Sequence, residues 1–394
     1  MPEPILLDLS HTSHTRARTG IQRVCRSLHS ALGAQALAVT YDPHAEIWRT
    51  LEDWERDNLA SSAAEKKRGA QWPLDAKLLG NARRWLGAKS DLGRTGAAAG
   101  VLVPEVFSPA VASALPALFA ATSGPRVALF HDAIALKFPE LAAPKTVTRF
   151  PGYLRELLAF DGIAAVSEDS RDSLVDYWRW LGEKKFPAVT AIPLGVDAPP
   201  AVTRATESAE KSAPVILTVG SVEGRKNHIA LLEACEQLWS RGATFELRLV
   251  GLAHAQTGAA ALARIEALQQ AGRPLRYDGP LGDAALDAAY AECSFTVYPS
   301  LIEGFGLPVI ESLSHGKPCV CSGRGALGES ARGGGCVQLD ATDSAHLVLA
   351  IERLLDAPGE LERLTAEARK RKFRSWADYA RELTAWMKTV ERRR

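Results

Sequence analysis

The sequence predicts an α/β protein built from two Rossmann-like doubly wound domains facing a central cleft. Three observations predict it. Short β-rich runs alternate with longer helical ones along the chain, which implies parallel sheets covered on both faces. Polar or glycine residues stand just past the carboxyl ends of those runs, where doubly wound sheets bind ligands. The length of 394 residues, with 46% hydrophobic content, suits two domains of common size.

In the first half, strands are predicted at 5–9, 36–41, 101–104, 127–130, 163–166 and 189–193. Helices fall at 21–32, 149–159 and 171–181. In the second half, strands are predicted at 215–219, 246–250, 275–277, 295–298, 318–321 and 336–339. Their helices fall at 228–240, 259–270, 284–293, 308–315, 344–355 and 361–372. The polar stretch 197–212 is a linker candidate, so the domains are drawn at 1–197 and 198–375. In the tail 376–394, Trp376, Tyr379, Ala380, Leu383, Trp386 and Val390 form an apolar stripe at helical spacing. That stripe predicts a last helix packed on the rest of the protein.

Composition narrows the function. A net charge of +1 argues against a dedicated nucleic-acid binder. No run of eighteen apolar residues is present, so no membrane span is expected. The opening Met-Pro-Glu-Pro lacks a basic region before an apolar one, so no secretory signal is expected. The six cysteines sit mostly in apolar segments and suit buried reduced thiols of a cytosolic protein. Cys319 and Cys321 fall on one face of a strand with no second pair nearby, a poor basis for a metal site. Two stretches are basic. Over most of their length, residues 56–100 carry Lys66, Lys67, Arg68, Lys77, Arg83, Arg84, Lys89 and Arg94 against Glu65, Asp75 and Asp91, with Trp72 and Trp85 interleaved. This is either a solvated loop or helical hairpin, or a surface for an anionic acceptor or membrane leaflet. Residues 369–394 carry ten Lys or Arg against Asp378, Glu382 and Glu391.

The segment 298–318 carries the chemistry. Glu303 sits in a glycine-rich loop after an apolar strand, and Glu311 lies one turn inside the next helix. Pro308 suits the first helical position, Gly316 a helix stop, and Pro318 lies just beyond. The loop thus feeds a helix N-terminus whose amides attract anions and hydroxyls. The turn Gly220-Ser221-Val222-Glu223-Gly224-Arg225-Lys226-Asn227 joins a buried strand to a helix, with Asn227 as a good N-cap. Arg225 and Lys226 at a helix's positive end are unfavourable by about 0.3–1 kcal/mol. A bound anion reverses that sign, and a diphosphate suits both side chains. Gly20 opens the first helix and would let backbone approach the same phosphates. His131 follows the strand 127–130, either as a core-edge histidine bonded to backbone or as a functional group.

Taken together these motifs resemble the family 4 glycosyltransferases, retaining sugar-nucleotide enzymes of the GT-B fold. The supporting segments are Thr19-Gly20-Ile21-Gln22-Arg23-Val24, Phe130-His131-Asp132, Ala165-Val166-Ser167-Glu168, Ile192-Pro193-Leu194-Gly195-Val196-Asp197 and Arg225-Lys226-Asn227, beside the Glu303-x7-Glu311 step. The opening Arg-Thr-Gly-Ile-Gln-Arg-Val is similar to bacterial surface-polysaccharide mannosyl- and rhamnosyltransferases. The resemblance implies that 198–375 binds the nucleotide sugar, 1–197 serves the acceptor, and the last helix crosses back onto 1–197. It implies that Glu311 holds the donor's ribose hydroxyls. Glu303, with the amides of Phe305, Gly306 and Leu307, contacts the donor sugar or stabilises charge near its anomeric carbon. Arg225 and Lys226 neutralise the diphosphate, and His131 lies near the transferred sugar. Ser221 stands where many relatives carry arginine. No Asp-x-Asp occurs in the chain, so transfer is expected to need no metal and no cofactor. The expected donor is a GDP-sugar, with UDP and dTDP sugars open. The expected acceptor is a glycan, lipid-linked, at the cytoplasmic face of the inner membrane. The remaining readings are a phosphorylase or sugar-nucleotide epimerase on this fold, or an inactive scaffold subunit.

Overall fold

The structure is a computed structural model that describes residues 3–18, 20–61, 69–92, 98–197 and 213–393. Thr19, the linker positions 198–212, the charges Glu65, Lys66, Lys67, Arg68 and Arg94, and Arg394 lie outside the described residues. The chain forms two units. One comprises Met1–Asp132, Arg149–Gly195 and Trp376–Arg394, the other Ala133–Thr148 and Val196–Ser375. The sequence reading, which divides the chain at 197 and at 375 and returns the last helix to 1–197, does not anticipate that Ala133–Thr148 groups with the second unit.

The first unit opens with β1 (Ile5–Asp8), α1 (Gly20–Leu32), β2 (Ala36–Asp42) and β3 (Ile47–Thr50). Next come α2 (Asp53–Ala60), α3 (Leu74–Trp85), β4 (Gly100–Val103), α4 (Pro109–Phe119) and β5 (Arg126–Phe130). The short α5 (Ile134–Lys137) and α6 (Pro144–Glu156) precede β6 (Gly162–Ala165), α7 (Glu168–Trp180) and β7 (Ala188–Ala191). The sheet runs β3-β2-β1-β4-β5-β6-β7. Every pairing is parallel except β2 with β3. The central strands are buried on both faces, which is why they read as unbroken apolar runs.

Strand β3 was missed because Arg49 interrupts its apolar pattern. The structure buries that arginine by pairing its Nε with Asp42 at 3.1 Å and its Nη1 with Glu55 at 2.7 Å. Helix α3 occupies part of the first basic stretch and leaves an apolar face outside. Leu74 is 72% exposed, Leu78 61%, and Trp85 86%.

The second unit runs β8 (Val215–Val219), α8 (His228–Ser240), β9 (Glu246–Val250), α9 (Ala259–Gln270), β10 (Leu275–Gly279) and α10 (Asp283–Glu292). Then follow β11 (Phe295–Tyr298), α11 (Leu307–Ser314), β12 (Cys319–Ser322), α12 (Gly325–Ala331), β13 (Cys336–Leu339), α13 (Ser344–Asp356) and α14 (Pro358–Lys370). The sheet order is β10-β9-β8-β11-β12-β13, with every pairing parallel. Counted within the unit this is 3-2-1-4-5-6, the doubly wound order whose direction reverses between β8 and β11. The core packs Leu231, Leu238 and Phe245 against Leu247, Phe295 and Val297. Register places Cys336 opposite Cys319, a third thiol beside the pair that its distance in sequence had hidden.

The last helix, α15 (Trp376–Met387), buries Trp376, Tyr379, Leu383 and Met387. It packs on α1. Past it, Asp161 accepts from the Arg393 amide at 2.7 Å and from Nε of Arg126 at 2.8 Å, while Arg126 also donates to the Arg393 carbonyl at 2.9 Å.

Candidate functional site

In the second unit the direction of winding reverses between β8 and β11, so the loops after these strands frame the expected ligand position. They are Gly220–Asn227 in one case and Ser300–Gly306 in the other. Glycine lets the first loop form. Gly251, just past β9, lies so near that a Cβ there would stand 1.9 Å from the Gly220 carbonyl oxygen, at a φ of +148°. The Gly220 amide donates to Val250 at 2.8 Å, and the Val222 amide to Leu252 at 3.1 Å. The two loops are laced together where the Leu301 amide donates to the Arg225 carbonyl at 2.9 Å.

This lacing assembles one ion cluster. Glu303 takes Lys226 Nζ on Oε1 at 2.6 Å and Arg225 Nη1 on Oε2 at 2.7 Å. Arg225 Nη2 pairs with Glu223 at 2.7 Å. Lys226 also donates to the Tyr298 hydroxyl, which in turn donates to Glu303 Oε1 at 3.1 Å. The ammonium lies 4.6 Å from the Tyr298 ring centroid. Burial would raise the Glu303 carboxyl, but Arg225 and Lys226 outweigh it and hold it down at about 2. Burial pushes Lys226 below the usual ammonium range, with Glu303 opposing. Burial and the Glu303 charge lift Tyr298 well above an ordinary phenol, so it stays a donor.

The expectation of exposed cations waiting for an anion needs refinement here. Both are already matched by protein carboxylates, Glu303 and Glu223. Asn227 differs from expectation too. It stands at the N-cap in the left-handed region (φ +55°), but its side chain makes no cap bond. Its amide donates instead to the Thr342 carbonyl at 2.7 Å.

At the next helix, Gly306 is the N-cap at φ +95°, Leu307 the first residue and Pro308 the second, one place later than predicted. A side chain at Gly306 would meet Leu327 Cδ2 at 3.0 Å from its Cβ. Ser330 Oγ donates to the Phe305 carbonyl at 2.5 Å and fixes the loop's last turn. Glu311 is 5% exposed, and the Tyr290 hydroxyl donates to its Oε2 at 3.3 Å. Tyr290 stacks on His315 at 4.7 Å between centroids. Ser221 is half-buried beside Gly220. Ser221, Arg225, Lys226, Glu303, Phe305, Gly306, Leu307 and Glu311 therefore all belong to this one unit.

Gly20 and His131 belong to the other unit. Gly20 opens α1 and is exposed, and no described residue lies within 4 Å of where its Cβ would be. Among the described residues, packing therefore does not demand glycine there. His131 is 7% exposed and donates from Nε2 to the Pro104 carbonyl at 2.7 Å. Burial lowers its pKa, which keeps the ring neutral. The structure thus shows the backbone-bonded histidine that was one of its two readings.

Sequence reasoning missed Tyr298, Glu223 and Tyr290. Glu223 carried a signal, being an acid two residues before the cations. Tyr298 carried one as the last residue of a strand ending at the site. Nothing in the sequence marks Tyr290, twenty-one positions before Glu311.

The sequence model of the family described as "Glycosyl transferases group 1" matches residues 202–371. The serotype-specific mannosyltransferase WbdA of Escherichia coli is 28% identical over 338 residues, covering 80% of this chain and 38% of that protein. This chain thus spans little more than a third of that relative's length. Among solved structures, sucrose-phosphate synthase of Thermosynechococcus elongatus aligns with a TM-score of 0.70 at 19% identity over 98% of this chain and 99% of that one. Anabaena HepE, in complex with UDP and glucose, aligns at 0.69 with 14% identity over 98% and 100%. The segment 202–371, which holds the ion cluster and the helix N-terminus beside it, is thus similar to the group 1 glycosyl transferases, and the chain has the GT-B fold.

Proposed function

We propose that the chain is a retaining, metal-independent glycosyltransferase that moves a hexosyl unit, mannose or rhamnose, from a GDP-sugar to a glycan acceptor. The setting is bacterial surface-polysaccharide synthesis. The observation that carries this reading is the pair Arg225 and Lys226, held on Glu303 at the carboxyl edge of β8 and β11. A mannosyltransferase among the similar proteins supports the hexose. The UDP in HepE favours a second reading for the base, a UDP-sugar.

Glycosyl transfer builds positive charge at the anomeric carbon and negative charge on the departing diphosphate. Preorganised donors stabilise that charge, typically by several kcal/mol. Arg225 turns from Glu223 toward the diphosphate, while Lys226 stays on Glu303 and presents its remaining protons. Helix α11 adds the amides of its first turn. Glu311 accepts the ribose hydroxyls. Both oxygens of Glu303 are already engaged, Oε1 by Lys226 and Oε2 by Arg225, which leaves neither free to attack carbon. Glu303 therefore acts as a charge stabiliser, and attack comes from the front face with the leaving phosphate taking the acceptor's proton. The acceptor is lipid-linked at the cytoplasmic face of the inner membrane. The exposed Leu74, Leu78 and Trp85 of α3 support contact with that surface.

A nucleotide panel tests the proposal. GDP should raise the melting temperature more than UDP or dTDP, because a ligand of the native state alone stabilises it. Hydrolysis of GDP-mannose should survive EDTA, Glu311→Ala should weaken the GDP shift, and Lys226→Ala should cut turnover. Equal absence of shift for all three nucleotides would end the donor assignment.

A further inference from the structure

The first unit holds a cavity of about 400 Å³ lined by residues that the donor chemistry does not use. That volume lies within the ~300–1,000 Å³ typical of small-molecule sites. Its walls come from the loop after β1, from α2 and from the segment just before α3. The loop after β1 lies at the position where this sheet also reverses, between β1 and β4.

Two indoles define the cavity. Trp54 and Trp72 are half-buried, with centroids 5.5 Å apart and planes at 62°, so they form a corner rather than a stack. His14 backs both, 5.4 Å from Trp54 and 4.1 Å from Trp72. That histidine is 2% exposed and rigidly set. Its Nε2 lies 2.7 Å from Glu55 Oε1, and Arg49 donates to both oxygens of Glu55 at 2.7 and 3.0 Å. Burial would raise Glu55, but the His14 and Arg49 hydrogen bonds outweigh it and keep the carboxylate ionised. An ionised carboxylate only accepts, so His14 Nε2 carries the proton and the ring cannot turn. The Gln71 amide donates to the His14 carbonyl at 2.6 Å, which ties the segment bearing Trp72 to the β1 loop. Arg16 donates to Asn58 at 3.0 Å, and Asn58 to the Ser13 carbonyl at 3.0 Å, which braces the opposite wall. Asp57 stands exposed at the rim.

An angled aromatic pair on a fixed base, with a carboxylate and amides around it, matches a particular ligand chemistry. A pyranose has an apolar C–H face that suits the negative face of an indole, and vicinal hydroxyls that suit a carboxylate. We propose that this cavity binds one hexopyranose residue of a glycan, its C–H face on Trp72 and Trp54 and its hydroxyls on Asp57 and Gln71. This deepens the reading above and rests on its glycan acceptor, while every residue named lies outside the unit that holds the donor residues.

Isothermal titration calorimetry with mannotriose and maltotriose, in the absence of nucleotide, tests it. The wild type should bind one of the trisaccharides with Kd on the order of 1 mM. Trp72→Ala should weaken that binding at least ~10-fold, and Asp57→Asn, an exposed change, by ~3-fold or more. Lys226→Ala should bind the glycan like wild type, so a wrong donor assignment leaves this arm readable. Urea unfolding of each variant separates lost binding from lost folding. Absence of saturable heat from both trisaccharides, or wild-type affinity in folded Trp72→Ala and Asp57→Asn, would overturn the assignment.

Discussion

Replacing Glu303 by glutamine removes one charge from the centre of the ion cluster and keeps the side chain's size. The carboxyl is held at about 2 against an ordinary 4.5. At 1.36 kcal/mol per unit, that difference is worth about 3 kcal/mol at neutral pH. The figure agrees with the ~3–5 kcal/mol lost when one partner of a buried pair is removed. The sign follows from the direction of the shift. A depressed carboxyl stabilises the fold above its unfolded pKa, and the contribution disappears as pH falls through the folded value. Glu303→Gln should therefore be less stable than wild type by about 3 kcal/mol at pH 7, narrowing to about half of that by pH 3. Urea unfolding followed by hydrogen exchange of the β8 and β11 amides reads the unit concerned. A second readout is pyrophosphate binding, since the cluster passes from neutral to one net positive charge. Pyrophosphate should bind more tightly to the variant while turnover falls. Equal stability at pH 7, or a deficit that stays constant down to pH 3, would refute the electrostatic account.

Three other outcomes are expected of the same molecule. Asp8, buried beside Glu105 with no partner for its Oδ2 among the described residues, is raised to about 7 by burial and by the Glu105 charge. Its stabilising contribution is complete below about pH 4 and is lost as pH rises through 7. Wild-type urea midpoints should therefore decline over that range, by on the order of 4 kcal/mol, and Asp8→Asn should flatten the decline. Asp161→Ala should cost ~3 kcal/mol by releasing Arg126 and the Arg393 amide, and limited proteolysis should then cut after α15. Gly251→Ala should lower the melting temperature sharply and abolish nucleotide shifts, because its methyl would collide with the Gly220 carbonyl.

The strands of both sheets were legible because parallel strands buried on two faces must be apolar throughout. The turn 220–227 and the loop 300–306 were legible because doubly wound sheets hold their ligands at strand ends, and glycines and charges gather at both places. What escaped notice depends on partners distant in the chain. Arg49 hides β3 until Asp42 and Glu55 are seen to neutralise it. The cations looked unmatched until the β11 loop brought Glu303 onto them. The cavity around Trp54 and Trp72 escaped because its two indoles lie eighteen residues apart on different segments. Cys336 joins Cys319 only through strand register.

The route of the backbone has a consequence for biosynthesis. The second unit is nearly continuous, from Val196 to Ser375, whereas the first waits for the helix that begins at Trp376. A ribosome emits the first sheet early, but the face of α1 that α15 covers stays bare until residues 376–387 emerge. Nascent chains stalled before that helix should recruit chaperones through α1, even though the half made later has already folded.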